Sequence, residues 1–177
     1  QTAERILDAA IDLFWEEPTA ALSLEQVADR AGVATRTVIR RFGGRDGLFR
    51  AAGERQMAVV AAERSVPAGD PAAAVDALVG HYERVGDGVS RLLAVEGAEP
   101  GLAAIAEQGR AMHRQWCRDT FAPTLARLSG LDRKRRLAQL AAICDLTTWR
   151  LLRRDAGLSR AQTERAILEM LQPLLED

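Results

Sequence analysis

The fold is decided by residues 27–42, which read VADRAGVATRTVIRRF. Two short helices fit this stretch, because apolar residues recur there at helical spacing and Gly32 separates them. A helix-turn-helix needs a small residue where its helices cross and a glycine in its turn, since the turn takes a left-handed backbone. Ala28 and Gly32 meet these needs, and Val33 and Val38 stand where the second helix packs on the first. The stretch therefore predicts a helix-turn-helix.

The outward face of the second helix carries hydroxyl and guanidinium groups. An arginine can bond the edge of guanine through two hydrogen bonds, and a threonine can contact a phosphate or the thymine methyl group. A solvated, charged face of an ordinary helical hairpin has the same pattern, so spacing alone leaves both interpretations open. The residues of this face are Thr35, Arg36, Thr37, Arg40 and Arg41.

Charge is distributed unevenly along the chain of 177 residues, although its net charge is only −1. Residues 1–29 hold seven acidic residues and one arginine, a net charge of −6. Residues 30–50 hold six arginines and one aspartate, a net charge of +5. An anionic partner responds to such a local patch and not to the average over the chain. The basic patch is therefore compatible with binding to nucleic acid.

Composition and periodicity predict an all-α chain. Apolar residues make up 47% of it and aromatic residues 5%, with many alanines and leucines, which favour helices. We expect about nine helices and no strand, with Gly86 and Gly88 interrupting one helical stretch and Pro123 kinking or splitting another. Their predicted bounds are 2–16, 24–31, 35–42, 45–64, 71–85, 89–96, 101–128, 132–155 and about 160 to the end.

Other sequence signals argue against a membrane, secreted or metal-dependent protein. No apolar run approaches the roughly 18 residues that span a bilayer, and no signal peptide is recognisable. The two cysteines, Cys117 and Cys144, lie in apolar stretches and do not suggest a disulfide framework. We therefore expect a cytoplasmic protein. The sequence has no CxxC or HExxH motif, no phosphate-binding glycine loop and no nucleophile elbow, so we also expect that it is not an enzyme and needs no cofactor or metal.

A family resemblance extends over residues 6–49. The leading helix ILDAAIDLF, the core VADRAGV and the segment RFGGRDGLF resemble, in this order, the DNA-binding domain of the TetR family of bacterial transcriptional regulators. Further along the chain, TFAPTL and WRLLRRDAGLS are also similar to that family. The resemblance implies an all-α protein with a three-helix helix-turn-helix DNA-binding domain at 1–46. A helical ligand-binding and dimerisation domain is implied at 47–177.

The resemblance also implies which residues meet double-stranded operator DNA. Arg45 stands where the family usually holds the DNA backbone, and Ser23 caps a helix end that points at phosphate. The family commonly has tyrosine where this chain has Ile39, and histidine or tyrosine where it has Arg41. These departures affect the operator sequence and not the mode of binding. The residues facing the major groove or its flanking phosphates are Thr35, Arg36, Thr37, Ile39, Arg40 and Arg41.

The remaining helices are expected to form a homodimer interface and a pocket for a small-molecule effector of unknown identity. Two apolar stripes predict the interface, although an intramolecular core would have the same pattern. The interface residues would be Leu137, Leu140, Cys144, Trp149, Ile167, Met170, Leu171 and Leu174. The pocket residues would be Met57, His81, Tyr82, Met112, His113, Trp116 and Thr148.

The resemblance implies a repressor that binds its operator as a homodimer and is released by its effector. A metal- or redox-sensing helical regulator is the first alternative, because His113, Cys117 and Cys144 are possible ligands or redox groups. A helical enzyme using the same groups, or a helical interaction module without DNA binding, are further alternatives. Metal analysis and DNA gel shifts separate these possibilities.

Overall fold

The computed structural model describes residues 1–16, 22–98 and 100–176. The described chain is helical, with no strand among those residues, as the sequence predicts. Its helices are α1 (Thr2–Glu16), α2 (Leu24–Ala31), α3 (Thr35–Phe42), α4 (Arg45–Glu63), α5 (Pro71–Val95), α6 (Pro100–Thr120), α7 (Ala122–Ala126), α8 (Gly130–Ile143), α9 (Leu146–Arg150) and α10 (Arg160–Glu176). A short 3₁₀ turn follows α5 at Glu96–Ala98, and a π-helical turn continues α9 over Leu151–Asp155.

Contacts divide the chain into two units, each made of discontinuous segments. The first unit comprises residues 1–59 and 88–109, and the second comprises 60–87 and 110–177. Helices α4, α5 and α6 therefore contribute residues to both units. The expected functional boundary after residue 46 stays a prediction, because contact units describe packing and not activity.

The first unit is built on an apolar core beneath the helix-turn-helix. Ile6 from α1, Val27 from α2, Val38 from α3 and Leu48 from α4 are at most 1% exposed. Burying one such side chain stabilises a fold by about 1.5–3 kcal/mol, so this shared core holds the short helices α2 and α3 in place.

Two arginines join α1 to its neighbours in the first unit. Arg5 donates from Nη2 to the carbonyl oxygen of Ala31 at 2.5 Å, at the end of α2. Arg55 forms an ion pair with Asp8, with 2.6 Å between Nη2 and Oδ1. Through these contacts, side chains of α1 hold the C-terminal end of α2 and the middle of α4 against α1.

The predicted interruption at Gly86 and Gly88 is wrong, because α5 runs without a break to Val95. Both glycines instead allow close approach of an indole ring. A Cβ atom on Gly86 would lie 2.5 Å from the ring of Trp149, in the second unit. A Cβ atom on Gly88 would lie 2.5 Å from the ring of Trp15, in the first unit.

The other predicted breakpoint is confirmed. The stretch 101–128 divides after Thr120, and Pro123 occupies the first turn of α7, where its missing N–H group costs no hydrogen bond. The stretch 132–155 is also divided, which the sequence did not predict. There Asp145 caps α9 by accepting from the backbone N–H of Thr147 at 2.8 Å.

Large buried side chains form the core of the second unit. Trp149, Phe121, Leu78 and Leu125 are at most 2% exposed. Helices α8 and α10 pack together there, and the Arg136 guanidinium donates to the carbonyl oxygen of Leu174.

Among the described residues, no helix is both long and apolar enough to cross a membrane.

The close approach of α4 to the end of α3 depends on Gly47, in the first turn of α4. A Cβ atom on Gly47 would lie 1.7 Å from the carbonyl oxygen of Phe42 at the end of α3. Helix propensity alone predicts that Gly47→Ala stabilises the protein by about 1 kcal/mol. We expect the clash to reverse this sign and to cost about 1–3 kcal/mol, as overpacking does. Urea unfolding measures the difference.

Gly109→Ala is the matched control for Gly47→Ala, since Gly109 lies inside α6 with no atom within 4 Å of the added Cβ. This control should gain about 0.5–1 kcal/mol from helix propensity. Equal stabilisation of both variants would show that the α3–α4 turn does not require glycine.

Candidate nucleic-acid interface and ligand cavity

The start of the helix-turn-helix is fixed by a capping box at Ser23. Its hydroxyl accepts from the backbone N–H of Gln26 at 3.2 Å, and its own N–H donates to the Gln26 side chain at 2.8 Å. The two bonds satisfy amide groups that the first turn of a helix leaves unpaired. Gly32 then ends α2 at φ 64° and ψ 43°, the left-handed conformation that the sequence predicts.

Helix α3 presents a row of unpaired guanidinium groups to solvent. Arg36, Arg40 and Arg41 are exposed, whereas Val38 on the opposite side is fully buried. In the described part of the chain, none of the three arginines forms an ion pair or a hydrogen bond with another side chain. Their donors are therefore available to phosphate or base edges.

Three further predicted contacts lie on the same helix. Ile39 is 48% exposed, which places an unpaired apolar side chain on the same outward surface. Thr35 and Thr37 are half-buried in the first turn. An exposed isoleucine can pack against a thymine methyl group but cannot donate to phosphate.

Two members of the basic patch are engaged inside the first unit. Arg30 forms a two-bond ion pair with Glu16, at 2.9 and 2.7 Å. Arg45 is half-buried, donates from Nε to the carbonyl oxygen of Leu22 at 3.2 Å and lies over the Phe49 ring at 4.9 Å. The free positive charge is therefore concentrated on α3 more than the sequence suggests.

The second unit contains an open cavity of about 430 Å³. The cavity is lined by the end of α4, the segment after it and one side of α6. Two predicted pocket residues, Met112 and Trp116, belong to this lining. The complete lining is Val60, Ala61, Arg64, Ser65, Val66, Ala68, Met112, Gln115, Trp116, Asp119 and Thr120.

Arg64 is a lining residue that the sequence did not reveal. At the C-terminal end of a helix, an arginine is typical of a solvent-exposed cation favoured by the helix dipole. The structure instead buries Arg64 to 2% exposure. Its guanidinium lies 4.1 Å from the centroid of the Trp116 ring, and Nη2 is 3.2 Å from Nδ1 of His113.

The remaining predicted pocket residues are not part of the lining; they are Met57, His81, Tyr82, His113 and Thr148. His81 and Tyr82 are buried, and Tyr82 donates to the carbonyl oxygen of Cys144 at 3.3 Å. Burial, together with the charge of Arg64, lowers the pKa of His81 to about 4, so its imidazole is neutral near pH 7. Thr148 donates to the carbonyl oxygen of Ala142 at 2.7 Å, and Met57 belongs to the first unit.

The groups of the metal or redox alternative do meet in the second unit. Sγ of Cys117 is 3.8 Å from Nε2 of His113, and a thiol hydrogen bond from Cys144 lowers the pKa of Cys117. Both cysteines are buried and free. Within the described residues, however, no three His, Cys, Asp or Glu side chains form a group that could hold a metal ion.

The predicted interface residues divide into buried and partly exposed side chains. Met170 is 39% exposed, and Leu137 and Leu174 are half-buried. The others are at most 1% exposed in a single copy of the chain, so they form its own core and cannot contact a second copy directly. These core residues are Leu140, Cys144, Trp149, Ile167 and Leu171.

Comparison with known proteins adds a family match and several similar folds. Residues 6–52 match the model of the bacterial regulatory proteins of the tetR family. A transcriptional regulator from Rhodococcus sp. Rha1 shares 22% identity over 99% of this chain and 97% of its own, with a TM-score of 0.71. No curated protein matches the chain by sequence.

Two further solved structures have the same fold. A TetR-family transcriptional regulator from Streptomyces coelicolor shares 25% identity, covering 99% of this chain and 100% of its own, with a TM-score of 0.56. The fatty acid degradation regulator FadR from Bacillus halodurans shares 17% identity over 99% of this chain and 95% of its own, with a TM-score of 0.62.

Proposed function

We propose that this chain is a transcriptional regulator of the TetR family, supported by the match over residues 6–52 and by the similar folds. In this proposal it is a cytoplasmic repressor that binds operator DNA as a homodimer and is released by a small-molecule effector. The observation that carries the DNA-binding part is the unpaired arginine face of α3, held outward by the buried Val38. Six exposed guanidinium groups per dimer would displace counterions from DNA phosphates, which makes binding strongly salt-dependent.

The DNA contacts that we propose lie on the exposed face of α3 and at the N-terminal ends of α2 and α4. Arg36 and Arg40 read base edges, while Arg41 and Arg45 hold phosphates. Thr35, Thr37 and Ile39 complete the surface, and Ser23 places the N-terminal end of α2 toward phosphate, where helix dipoles favour an anion. Fluorescence anisotropy with the DNA upstream of the gene, at several salt concentrations, tests this assignment.

Dimerisation is proposed because the mode of docking needs two DNA-reading heads that contact half-sites about 34–36 Å apart. The surface we assign to it is the outer side of α8 and α10, with Met170 at its centre and Leu137 and Leu174 beside it. Met170 is 39% exposed, and Leu137 and Leu174 are half-buried, so these three predicted interface residues keep surface that a second copy could cover.

Helix α4 connects the proposed DNA contact with the cavity. It is continuous from Arg45, beside the helix-turn-helix, to Glu63, and its residues Val60 and Ala61 line the cavity. A ligand in the cavity that displaces this helix would change the position of the reading heads. Thermodynamically, the ligand can weaken DNA binding only by the difference in its affinity for the two states.

Filling the cavity tests the effector part of the proposal. Ala61→Trp adds an indole to the lining, and we expect a repressor that either binds operator weakly without ligand or no longer responds to ligand. A ligand is first found by thermal shift, because binding to the folded state alone raises the melting temperature. Operator affinity is then measured with and without that ligand.

Ala62→Trp is the control, since Ala62 is an exposed neighbour on α4 that does not line the cavity. This variant should bind operator and respond to ligand as the unchanged chain does. An unchanged response of Ala61→Trp, together with a saturating ligand that leaves operator affinity constant, would show that the cavity does not control DNA binding.

A redox-sensing regulator is the alternative that one observation favours. The thiol of Cys144 is hydrogen-bonded to Cys117, so the two residues are close enough to influence each other's pKa. An oxidant would have to reach sulfur atoms that are at most 1% exposed. The open cavity beside a buried cation gives the small-molecule proposal the stronger support.

A further inference from the structure

We propose that the cavity of the second unit binds an organic anion, a carboxylate with an apolar body, and that Arg64 holds its carboxylate group. The inference rests on the proposed ligand-responsive function and assigns a chemical class to its effector. Its starting point is Arg64, a residue of the cavity lining that is nearly inaccessible to solvent in the folded chain.

The hydrogen-bonding groups of Arg64 are incompletely satisfied. The guanidinium contacts the Nδ1 atom of His113 through Nη2, but its buried Nε has no hydrogen-bond partner. In the described part of the chain, no carboxylate lies within ion-pair distance of Arg64. A guanidinium group carries a positive charge in proteins. A buried charge without a partner is costly, and an anionic ligand would supply that partner.

Neighbouring acidic groups are engaged elsewhere. Glu63 pairs with Arg84 at 2.8 Å and contacts His81 at 3.3 Å. Asp119 lies on the cavity lining but is exposed and accepts from the side chain of Gln115 at 2.8 Å. The remaining anionic candidate is Cys117, whose thiolate is favoured by its neighbours but whose side chain is fully buried. Neither carboxylate therefore forms an ion pair with Arg64.

The rest of the lining is suited to an apolar body. The apolar residues of the lining include Val60, Ala61 and Met112, together with the aromatic residue Trp116. The indole is held in place by its N–H group, which donates to the carbonyl oxygen of Arg64 at 2.7 Å. The lining also includes the polar residues Ser65, Gln115, Asp119 and Thr120. A cavity of about 430 Å³ that combines apolar side chains with a few polar groups fits the usual make-up of small-molecule sites.

The test compares carboxylates with their neutral amides on the full chain. Isothermal titration is run with decanoate and 4-phenylbutyrate, and with decanamide and 4-phenylbutanamide. We expect each carboxylate to bind at least about tenfold more tightly than its amide, as a hydrogen bond to a charged group predicts. Equal affinities within both pairs, or no binding of either carboxylate at millimolar concentration, would overturn the proposal.

Substitutions of Arg64 test whether this residue binds the carboxylate group of the ligand. Arg64→Met keeps an unbranched, flexible side chain but removes the guanidinium group and its charge, and it should lose the preference for carboxylates, with affinity about 10- to 100-fold lower. Arg64→Lys should retain part of that preference. Arg135→Met removes an exposed arginine paired with Asp132, outside the cavity, and should bind as the unchanged chain does.

Unfolding of the ligand-free protein shows whether the charge of Arg64 is unpaired or is neutralised by Cys117 within the chain. If the charge has no partner, Arg64→Met should raise the denaturation midpoint, because apolar groups often replace unpaired buried charges favourably. A lowered midpoint, with carboxylate affinity unchanged, would mean that Arg64 pairs with Cys117 and serves the core only.

Measurements of operator affinity in the presence of each ligand show whether the anion site or the proposed regulatory function is wrong. A carboxylate that binds without changing operator affinity would support the anion site and refute its regulatory role. Release of operator by a neutral ligand, with carboxylates inactive, would refute the anion site and leave the ligand-responsive function intact.

Discussion

Alanine in place of Arg36 or Arg40 is expected to lower operator affinity by about 30-fold to 10⁴-fold. A side chain that reads a base contributes about 1–3 kcal/mol, and a homodimer loses the contact twice. Both residues are exposed on α3, and neither is paired with another side chain in the described chain. Preference at particular base pairs should therefore relax, which a panel of single-base operator variants detects by anisotropy.

The control for these two variants is Arg154→Ala, which removes an exposed arginine of the second unit that is already paired with Asp87 and lies outside α8 and α10. Its operator affinity should stay within a factor of about two, as an exposed ion pair contributes little. If Arg36→Ala weakens binding equally to operator and to random DNA, the residue contacts phosphate and not a base. If affinity does not change at all, α3 is not the reading helix.

The second large effect is expected at two adjacent positions of α10. Leu171 is fully buried in the core of its own chain, whereas Met170 is 39% exposed. Leu171→Arg places a charge in that core and should cost at least the roughly 2–5 kcal/mol that truncating a core leucine costs. This loss is a large share of a typical stability of about 5–15 kcal/mol, so the second unit should unfold.

Met170→Arg should have the opposite pattern, with the fold kept and the dimer lost. The exposed position accepts a charge without burial in the single chain, but an interface would desolvate it in both copies. Circular dichroism follows the helices, and sedimentation follows the oligomeric state. A dimeric Met170→Arg variant would place the interface away from this face of α10. A stably folded Leu171→Arg variant would contradict the core assignment.

Local chemistry explains why much of the fold could be predicted. Gly32 adopts the left-handed backbone that only glycine takes readily, and the Ser23 capping box depends on residues three apart in sequence. Such interactions need no distant partner. The break before Pro123 belongs to the same class, because proline restricts its own backbone and that of the preceding residue.

Errors arose where distant residues decide the conformation. Gly86 and Gly88 usually weaken a helix, yet α5 continues through them because Trp149 and Trp15 fill the space above each glycine. Similarly, the apolar stripes of α8 and α10 fit a core and an interface equally well, and only burial assigns Leu171 to the core and leaves Met170 outside.

The sequence by itself determined the helix-turn-helix, the helical class of the chain and the basic character of α3, since these follow from neighbouring residues. The tertiary structure alone decided which arginines are free and which are engaged: Arg30 pairs with Glu16, 14 residues away, and Arg64 meets His113, 49 residues away. The physical reason is that charge and periodicity can be read along the chain. The environment of a side chain, and therefore whether its charge is solvated, paired or unsatisfied, depends on residues that only folding brings beside it.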